Sequence, residues 1–219
     1  MPLLDDKVKE SVKTLLSVLT RNVKLIVFTQ EKECSTCMDA IVLAEEMAAL
    51  SGKISIEKYD FGIDKNKTDQ FKIDKVPSFA IIGATDSSSS QWKDYGIKFS
   101  GIPAGYEFTS FLNAIKMVSL GNSELSQKTK DALKTINKPI NIKIFVTLTC
   151  PYCPTAVMLA NRFAFENDLI SAEMIESAEF TDLAKKYNVY GVPKIVINEN
   201  IQFEGALPED LFLAKILSA

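Results

Sequence analysis

The sequence contains no histidine, although it runs to 219 residues. Histidine is the usual general base for a serine or cysteine nucleophile, and it is the commonest protein ligand for metal ions. Its absence excludes Ser-His and Cys-His catalysis and removes the most frequent metal ligand. Any chemistry that this chain performs must therefore depend on other side chains.

Long apolar runs and an excess of basic residues are also missing. No apolar stretch approaches the roughly 20 residues that span a bilayer. The first residues lack the basic and apolar regions of a signal peptide. A net charge of −3 offers no basic surface for phosphate groups. We therefore expect a soluble, cytoplasmic protein that binds neither nucleic acid nor membrane.

Cysteine is scarce, and all four cysteines occur in C-x-x-C pairs, Cys34/Cys37 and Cys150/Cys153. In an intracellular protein such pairs indicate metal binding or redox chemistry before structural bridges. A shared Cys₄ zinc site is disfavoured because 113 residues separate Cys37 from Cys150. Structural disulfides are the other alternative, but a bridge across so short a loop stabilises little. Disulfide exchange is the favoured interpretation.

The stretch Thr149–Pro154, with the sequence TCPYCP, follows an apolar run that begins at Ile140 and precedes apolar residues at helical spacing. This pattern predicts a buried strand, the cysteine pair and a helix, in that order. We expect Cys150 at the helix N-cap and Pro151 in the first helical position, where a missing N–H costs nothing. The helix dipole and the unpartnered N–H groups would lower the pKa of the Cys150 thiol. Cys153 would then close the disulfide that releases a bound partner.

The two cysteine pairs belong to an internal repeat. Each first cysteine precedes a Val-Pro by 43 residues, and the two halves align at an offset of 116 residues. The offset falls to 104 after a predicted loop that contains Ser87–Ser90, where an insertion is cheap. The repeat predicts two similar α/β units over residues 1–120 and 121–219. It also matches Asp60 with Glu176, which we expect to be exposed acids at strand ends.

A strand, a C-x-x-C, a helix and a Val-Pro further downstream resemble the thioredoxin fold. The whole chain resembles the protein disulfide oxidoreductases of hyperthermophilic archaea and bacteria, which are glutaredoxin-like proteins of two tandem thioredoxin-like units. The most specific stretch is Phe145–Pro154, which contains the CPYC of glutaredoxins. The resemblance implies an α/β fold in which each unit has a mixed central sheet flanked by helices.

The resemblance also implies an activity and its partners. It predicts a dithiol–disulfide oxidoreductase that forms, reduces or isomerises protein disulfides through mixed-disulfide intermediates. Neither a metal nor a cofactor is expected. The expected partners are protein thiols and disulfides, with a thioredoxin-reductase-like flavoprotein as electron donor.

The site residues follow from the same resemblance. The catalytic residues are expected to be Cys150, Cys153, Cys34 and Cys37. The residues expected to contact substrate are Pro193, Val192, Pro77, Val76 and Tyr152. The two prolines are expected to follow cis peptide bonds and to lie beside the cysteine pairs.

Both halves depart from the family pattern. The first pair, Cys-Ser-Thr-Cys, lacks the proline after its first cysteine, and Glu33 directly precedes that cysteine. A nearby carboxylate disfavours a thiolate, so we predict that the second pair is the more reactive. Neither half has the buried acid that thioredoxin places six residues before its first cysteine. Phe28 and Ile144 stand there instead, so the sequence argues against a proton relay through that position.

Two other functions remain open at this point. The chain is also similar to the N-terminal domain of bacterial alkyl hydroperoxide reductase flavoproteins, which implies an electron shuttle to a peroxidase. The third alternative is a redox-inert module that binds peptides near Pro193 or holds zinc. In the alkyl hydroperoxide reductase domain one C-x-x-C has decayed, whereas both are intact here, which favours two working sites.

Overall fold

The structure is a computed structural model that describes residues 2–86 and 91–219, so the predicted loop at Ser87–Ser90 lies outside the described residues. The helices in the described part are α1 Asp6–Leu16, α2 Cys37–Leu50, α3 Lys65–Phe71, α4 Glu107–Leu120, α5 Gln127–Leu133, α6 Cys153–Glu166, α7 Thr181–Lys186 and α8 Glu209–Leu217. The strands are β1 Val23–Thr29, β2 Ile54–Asp60, β3 Ser78–Ala84, β4 Trp92–Ser100, β5 Ile140–Val146, β6 Ile170–Glu176, β7 Lys194–Ile197 and β8 Ile201–Glu204.

The chain divides into two compact units, each built from more than one segment. The first unit contains the described residues up to Asp94, together with Ser100–Ile102 and Ile115–Gly121. The second unit contains Tyr95–Phe99, Pro103–Ala114 and Asn122–Ala219. As a result β4 and α4 each contribute residues to both units.

In the first unit β1 is paired on both sides. It runs parallel to β2, from Val23 opposite Ile54 to Thr29 opposite Asp60, and antiparallel to β3. Parallel neighbours require a crossover, which α2 provides while packing against both strands. The apolar run in β1 fits a strand that is hydrogen-bonded along both edges and covered by helices.

The second unit repeats this arrangement around β5. This strand runs parallel to β6, from Ile140 opposite Ile170 to Val146 opposite Glu176, and antiparallel to β7. The crossover helix is α6, and β8 pairs antiparallel with β7. The predicted mixed α/β organisation is therefore present in each unit.

The repeat extends to single backbone hydrogen bonds. The N–H of Gly101 donates to the carbonyl of Pro77 at 2.9 Å, and the N–H of Gly205 donates to the carbonyl of Pro193 at the same distance. Both prolines follow cis peptide bonds, as the family resemblance implied. The two prolines therefore hold equivalent positions at the start of β3 and β7.

Aromatic side chains fill the core of each unit. In the first unit Phe28 packs against Phe71, with ring centroids 5.8 Å apart. In the second unit Phe145 packs against Tyr187 at 5.2 Å. Large rings in edge or tilted contact bury much apolar area and orient one another, so these clusters help to fix the strand that precedes each cysteine pair.

No helix within the described ranges is long and apolar enough to cross a membrane.

Gly105 lies in the segment before α4, which packs closely on the loop that follows β5. Its φ is +55°, and a Cβ added there would overlap the carbonyl oxygen of Leu148. Gly205 has a φ of +87° but nothing within 4 Å of an added Cβ, so it is a matched control for backbone strain alone. We expect Gly105→Ala to lower the free energy of unfolding by about 3 kcal/mol and Gly205→Ala by about 1 kcal/mol.

Chemical denaturation of the two variants measures this difference. Equal losses would show that the contact between Gly105 and Leu148 does not constrain the loop.

Candidate functional site

The four cysteines form two closed disulfides. Cys34 is bonded to Cys37 and Cys150 to Cys153, with Cα–Cα distances of 5.4 and 5.6 Å. Both distances lie in the usual range for a disulfide. In each pair the second cysteine is the first residue of a helix, α2 or α6. The structure therefore represents the oxidised form of both pairs.

The prediction that Cys150 caps the helix and that Pro151 begins it is wrong. Helix α6 begins at Cys153 and its N-cap is Tyr152. A helix capped by Cys150 would need the N–H of residue 154 to donate to the Cys150 carbonyl, and Pro154 has no N–H. Pro154 is instead tolerated inside the first turn, where an N–H would have no helical partner.

A backbone N–H at the start of α6 nevertheless reaches the sulfur of Cys150. The N–H of Cys153 lies 3.1 Å from the Sγ atom of Cys150 and points to it as a hydrogen-bond donor. The carbonyl oxygen of Val192 lies 3.7 Å from the same sulfur. In the reduced protein the N–H stabilises the thiolate, and the carbonyl can accept a hydrogen bond from the thiol.

The first pair has a different hydrogen-bond pattern. Here the N–H of Gln30 donates to the Sγ atom of Cys37, the second cysteine, at 3.4 Å. Glu33, directly before Cys34, has a φ of 56° and an exposed side chain. The two sites therefore differ in which sulfur the backbone supports.

The residues predicted to contact substrate have different exposures. Tyr152 is 71% exposed beside the second pair, whereas Pro193 and Pro77 are buried. Val192 meets Cys150 through its carbonyl, as described above. Val76 instead packs partly buried against the aromatic cluster of the first unit. The structure thus brings Val192 to its cysteine, while in the described residues no hydrogen bond links Val76 to Cys34.

Glu107, in the first turn of α4, is a buried acid that sequence reasoning missed. Its Oε2 atom accepts a hydrogen bond from the Ser110 hydroxyl at 2.5 Å, and its Oε1 atom has no partner within the described part of the chain. Burial raises the pKa of this carboxyl to about 7, and the Ser110 hydrogen bond opposes the rise. Just before it, the N–H of Tyr106 donates to the Leu148 carbonyl at 3.0 Å, in the loop that leads to Cys150.

Acidic residues in a first helical turn are usually exposed and interact with the helix dipole, so no sequence signal marked Glu107 as buried. Glu176 was also expected to be exposed, and this expectation is wrong. It is buried, and its carboxylate accepts the N–H of Glu179 at 2.6 Å. Burial is the main cause that raises the pKa of Glu176.

A Glu107→Gln variant should change how stability depends on pH. Because the folded-state pKa of Glu107 is about 7, against an ordinary value of 4.5, the folded protein holds this proton more tightly than the unfolded chain. Wild-type stability should therefore fall as pH rises from about 4.5 to above 7, by about 3 kcal/mol from this residue. The variant lacks this loss and should gain stability relative to wild type over the same range.

Denaturation of both proteins at several pH values gives the measurement, with Glu10→Gln on the exposed side of α1 as control. A stability difference that stays constant with pH would show that Glu107 does not titrate in this way.

Comparisons with known proteins agree with this geometry. A family model described as a thioredoxin domain matches residues 140–218. A protein disulfide oxidoreductase from Aeropyrum pernix superposes with a TM-score of 0.89 at 30% identity, covering 99% of this chain and 94% of that one. The N-terminal domain of an alkyl hydroperoxide reductase from Enterococcus faecalis gives a TM-score of 0.87 at 26% identity, covering 97% and 99%. These matches confirm the predicted thioredoxin-like fold class.

A curated relative from Bacillus subtilis, named NADH dehydrogenase, is 28% identical over 213 residues, which are 97% of this chain and 38% of that protein. The chain thus spans about two fifths of the length of the curated relatives that it matches first. The chain carries both of its C-x-x-C disulfides on thioredoxin-like units. Because the likeness to the Aeropyrum pernix protein runs the length of both chains at 30% identity, this chain belongs to the protein disulfide oxidoreductase family.

Proposed function

We propose that the protein exchanges disulfides with other proteins, with Cys150 as the attacking residue and Cys153 as the resolving residue. The observation that carries this assignment is the N–H of Cys153 aimed at the Cys150 sulfur at 3.1 Å. A hydrogen bond to the charged form favours a thiolate, which is both the nucleophile and the leaving group in exchange. Cys34 and Cys37 are proposed as a second, slower pair.

In the reducing direction the Cys150 thiolate attacks one sulfur of a substrate disulfide. The substrate S–S bond breaks, one substrate thiolate leaves and takes up a proton, and a mixed disulfide joins Cys150 to the substrate. The Cys153 thiol then loses its proton, and its sulfur attacks Cys150. The second substrate thiol is released, so that two electrons have passed to the substrate and the protein holds the disulfide.

The departing substrate thiolate takes up the proton that Cys153 loses, so that protons and electrons balance.

Substrate contacts are proposed at Val192, Pro193 and Tyr152, with Val76 and Pro77 in the same roles in the first half. Support comes from the Val192 carbonyl beside the Cys150 sulfur and from the high exposure of Tyr152. We also propose that residues 1–120 and 121–219 act as two halves, each with its own cysteine pair. A cytoplasmic location fits four cysteines that pair only within C-x-x-C motifs.

The electron donor proposed is a thioredoxin-reductase-like flavoprotein. The first curated relatives include one named NADH dehydrogenase and several that are named as components of alkyl hydroperoxide reductase. These names support a partner that passes electrons to the cysteine pairs. A shuttle to a peroxidase is the second candidate, favoured by the TM-score of 0.87 to the alkyl hydroperoxide reductase domain. Reconstitution with a flavoprotein reductase and either insulin or a thiol peroxidase as acceptor separates the two.

Removal of both attacking sulfurs should abolish activity. We expect Cys150→Ser to lower the rate of insulin reduction with a thiol donor severalfold, and Cys34→Ser to lower it less. The double variant should lose activity by a factor of about 100 or more, because no thiolate remains to form the mixed disulfide.

Met38→Ser, an exposed change beside Cys37, is the control and should retain activity. Activity that survives in the double variant would contradict catalysis by these sulfurs and would favour a redox-inert binding module.

The thiol of Cys150 should have a lower pKa than that of Cys34. An N–H supports the Cys150 sulfur, and the residues before it, from Val146 to Thr149, carry no charge. Cys34 instead follows Gln30–Glu33, which carries a net negative charge. A pKa lower by one unit is worth about 1.4 kcal/mol of thiolate stabilisation, but nucleophilicity falls as the pKa falls. We expect Cys150 to react about threefold to thirtyfold faster at neutral pH.

The measurement is the pH dependence of alkylation at each residue, in variants whose other three cysteines are serine. The ranking is overturned if Cys34 titrates at the lower pH.

A further inference from the structure

A cavity of about 470 Å³ opens in the second unit next to the Cys150 loop. Thr147 lines it, and the carbonyl of Thr147 accepts the N–H of Cys150 at 3.1 Å. Tyr190 also lines it, is 91% exposed, and lies two residues before Val192. The cavity is therefore joined to both segments that meet at the Cys150 sulfur.

The interior of the cavity combines apolar side chains with an unsatisfied hydroxyl. Ala184 and Val189 contribute apolar surface, and Lys185, which is ion-paired with Asp182 at 3.2 Å, adds an exposed ammonium group. The Oγ atom of Ser177 is buried and has no hydrogen-bond partner within residues 2–86 and 91–219. A buried hydroxyl without a partner costs free energy, which a guest could recover by accepting a hydrogen bond from it.

The first unit shows what occupies the equivalent position. Ser177 donates its N–H to the Val146 carbonyl at 2.9 Å, and Phe61 donates its N–H to the Thr29 carbonyl at 2.8 Å. Val146 and Thr29 are the last residues of β5 and β1, so Phe61 is the counterpart of Ser177 in both backbone geometry and repeat offset.

The frame around this position is the same in both units. The N–H of Ile73 donates to the Thr68 carbonyl at 2.8 Å, and the N–H of Val189 donates to the Ala184 carbonyl at 3.0 Å. Phe61 packs against the cluster that contains Ile73, and the Nζ atom of Lys65 lies 4.8 Å from the centre of its ring. The first unit thus fills this position with a phenyl ring of its own.

The second unit has no ring at this position. Phe180, a nearby aromatic residue, packs against the cluster of Phe145 and Tyr187 and does not line the cavity. With serine in place of phenylalanine the frame is retained and the space is left open, between the segments that lead to Cys150 and to Val192.

We propose that this cavity is a specificity pocket that binds an aromatic side chain of the protein substrate, a few residues from the cysteine that reacts with Cys150. The proposal rests on the disulfide exchange proposed above. An aromatic ring suits the pocket because the first unit places one in the same frame and because Lys185 can interact with the face of a ring. Burial of a ring near the reacting sulfur would slow dissociation of the encounter complex and raise kcat/KM.

The test uses the full chain with Cys34→Ser and Cys37→Ser, so that only the second pair reacts. The probes are disulfide-linked homodimers of a cysteine peptide that is otherwise alanine with terminal lysines, in which each position on either side of the cysteine is replaced in turn by Phe or Leu. The second-order rate of their reduction by the reduced protein is measured. We expect at least one Phe position to raise the rate about fivefold to tenfold over the alanine peptide, with Leu giving a smaller gain.

Ser177→Phe places the first unit's residue into the pocket and should lower the rate for the best Phe peptide to that of the alanine peptide. Ser177→Ala, the matched control, leaves the space open and should retain the preference. If Ser177→Phe does not fold, Ala184→Leu fills the same space from α7 and should have the same effect. In all folded variants the rate with the alanine peptide or with hydroxyethyl disulfide should stay within about twofold, since the reacting sulfurs are untouched.

The proposed pocket is refuted if no Phe peptide is reduced more than twofold faster than the alanine peptide. It is also refuted if the preference for Phe persists after the pocket is filled. Either result leaves disulfide exchange itself intact, because the alanine peptide and hydroxyethyl disulfide report on it separately. Failure of the protein to reduce any of these probes would instead overturn the proposed exchange and the pocket together.

Discussion

The register of the strands around β5 is the constraint on which the second site depends. Val146 lies opposite Glu176 in the parallel neighbour β6, and Phe145 lies opposite Lys194 in the antiparallel neighbour β7. Because β5 and β6 end at the edge where β7 begins, three loops emerge together. One carries Cys150, one carries Ser177, and one carries the Val192 carbonyl. The first unit repeats this around β1, and each central strand is held in place by hydrogen bonds on both sides and by aromatic packing.

Within that shared frame, the two sites differ through a few local substitutions. In the second unit a backbone N–H reaches the first cysteine of the pair, whereas in the first unit it reaches the second. Phe61 fills a space in one unit that Ser177 leaves open in the other. A duplicated fold can therefore hold two cysteine pairs in the same position while their reactivity and their surroundings diverge. Such differences suit a protein in which the two pairs do not perform identical tasks.

Two buried acids, Glu107 and Glu176, lie in the second unit. Glu107 is held in a position where desolvation outweighs the favourable effect of a helix N-terminus on a carboxylate. A carboxyl that binds a proton near neutral pH destabilises the folded protein when it is charged, so Glu107 makes the stability of the second unit depend on pH. No acid stands six residues before Cys150, but the second unit still contains Glu107, a buried group with a pKa of about 7.

Spacing along the chain and the local apolar pattern were enough to predict the repeat, the cysteine pairs, the two Val-Pro positions and the fold class. The start of α6 was mispredicted at Pro151, because Pro151 and Pro154 both suit the first turn of a helix and the local pattern does not distinguish them. The burial of Glu107 and Glu176 could not be predicted in this way, and neither could the place of Ser177 in the wall of a cavity. These properties depend on which segments lie across the fold from each residue, and long-range contacts such as that between Tyr106 and Leu148 leave no periodic signal in the chain.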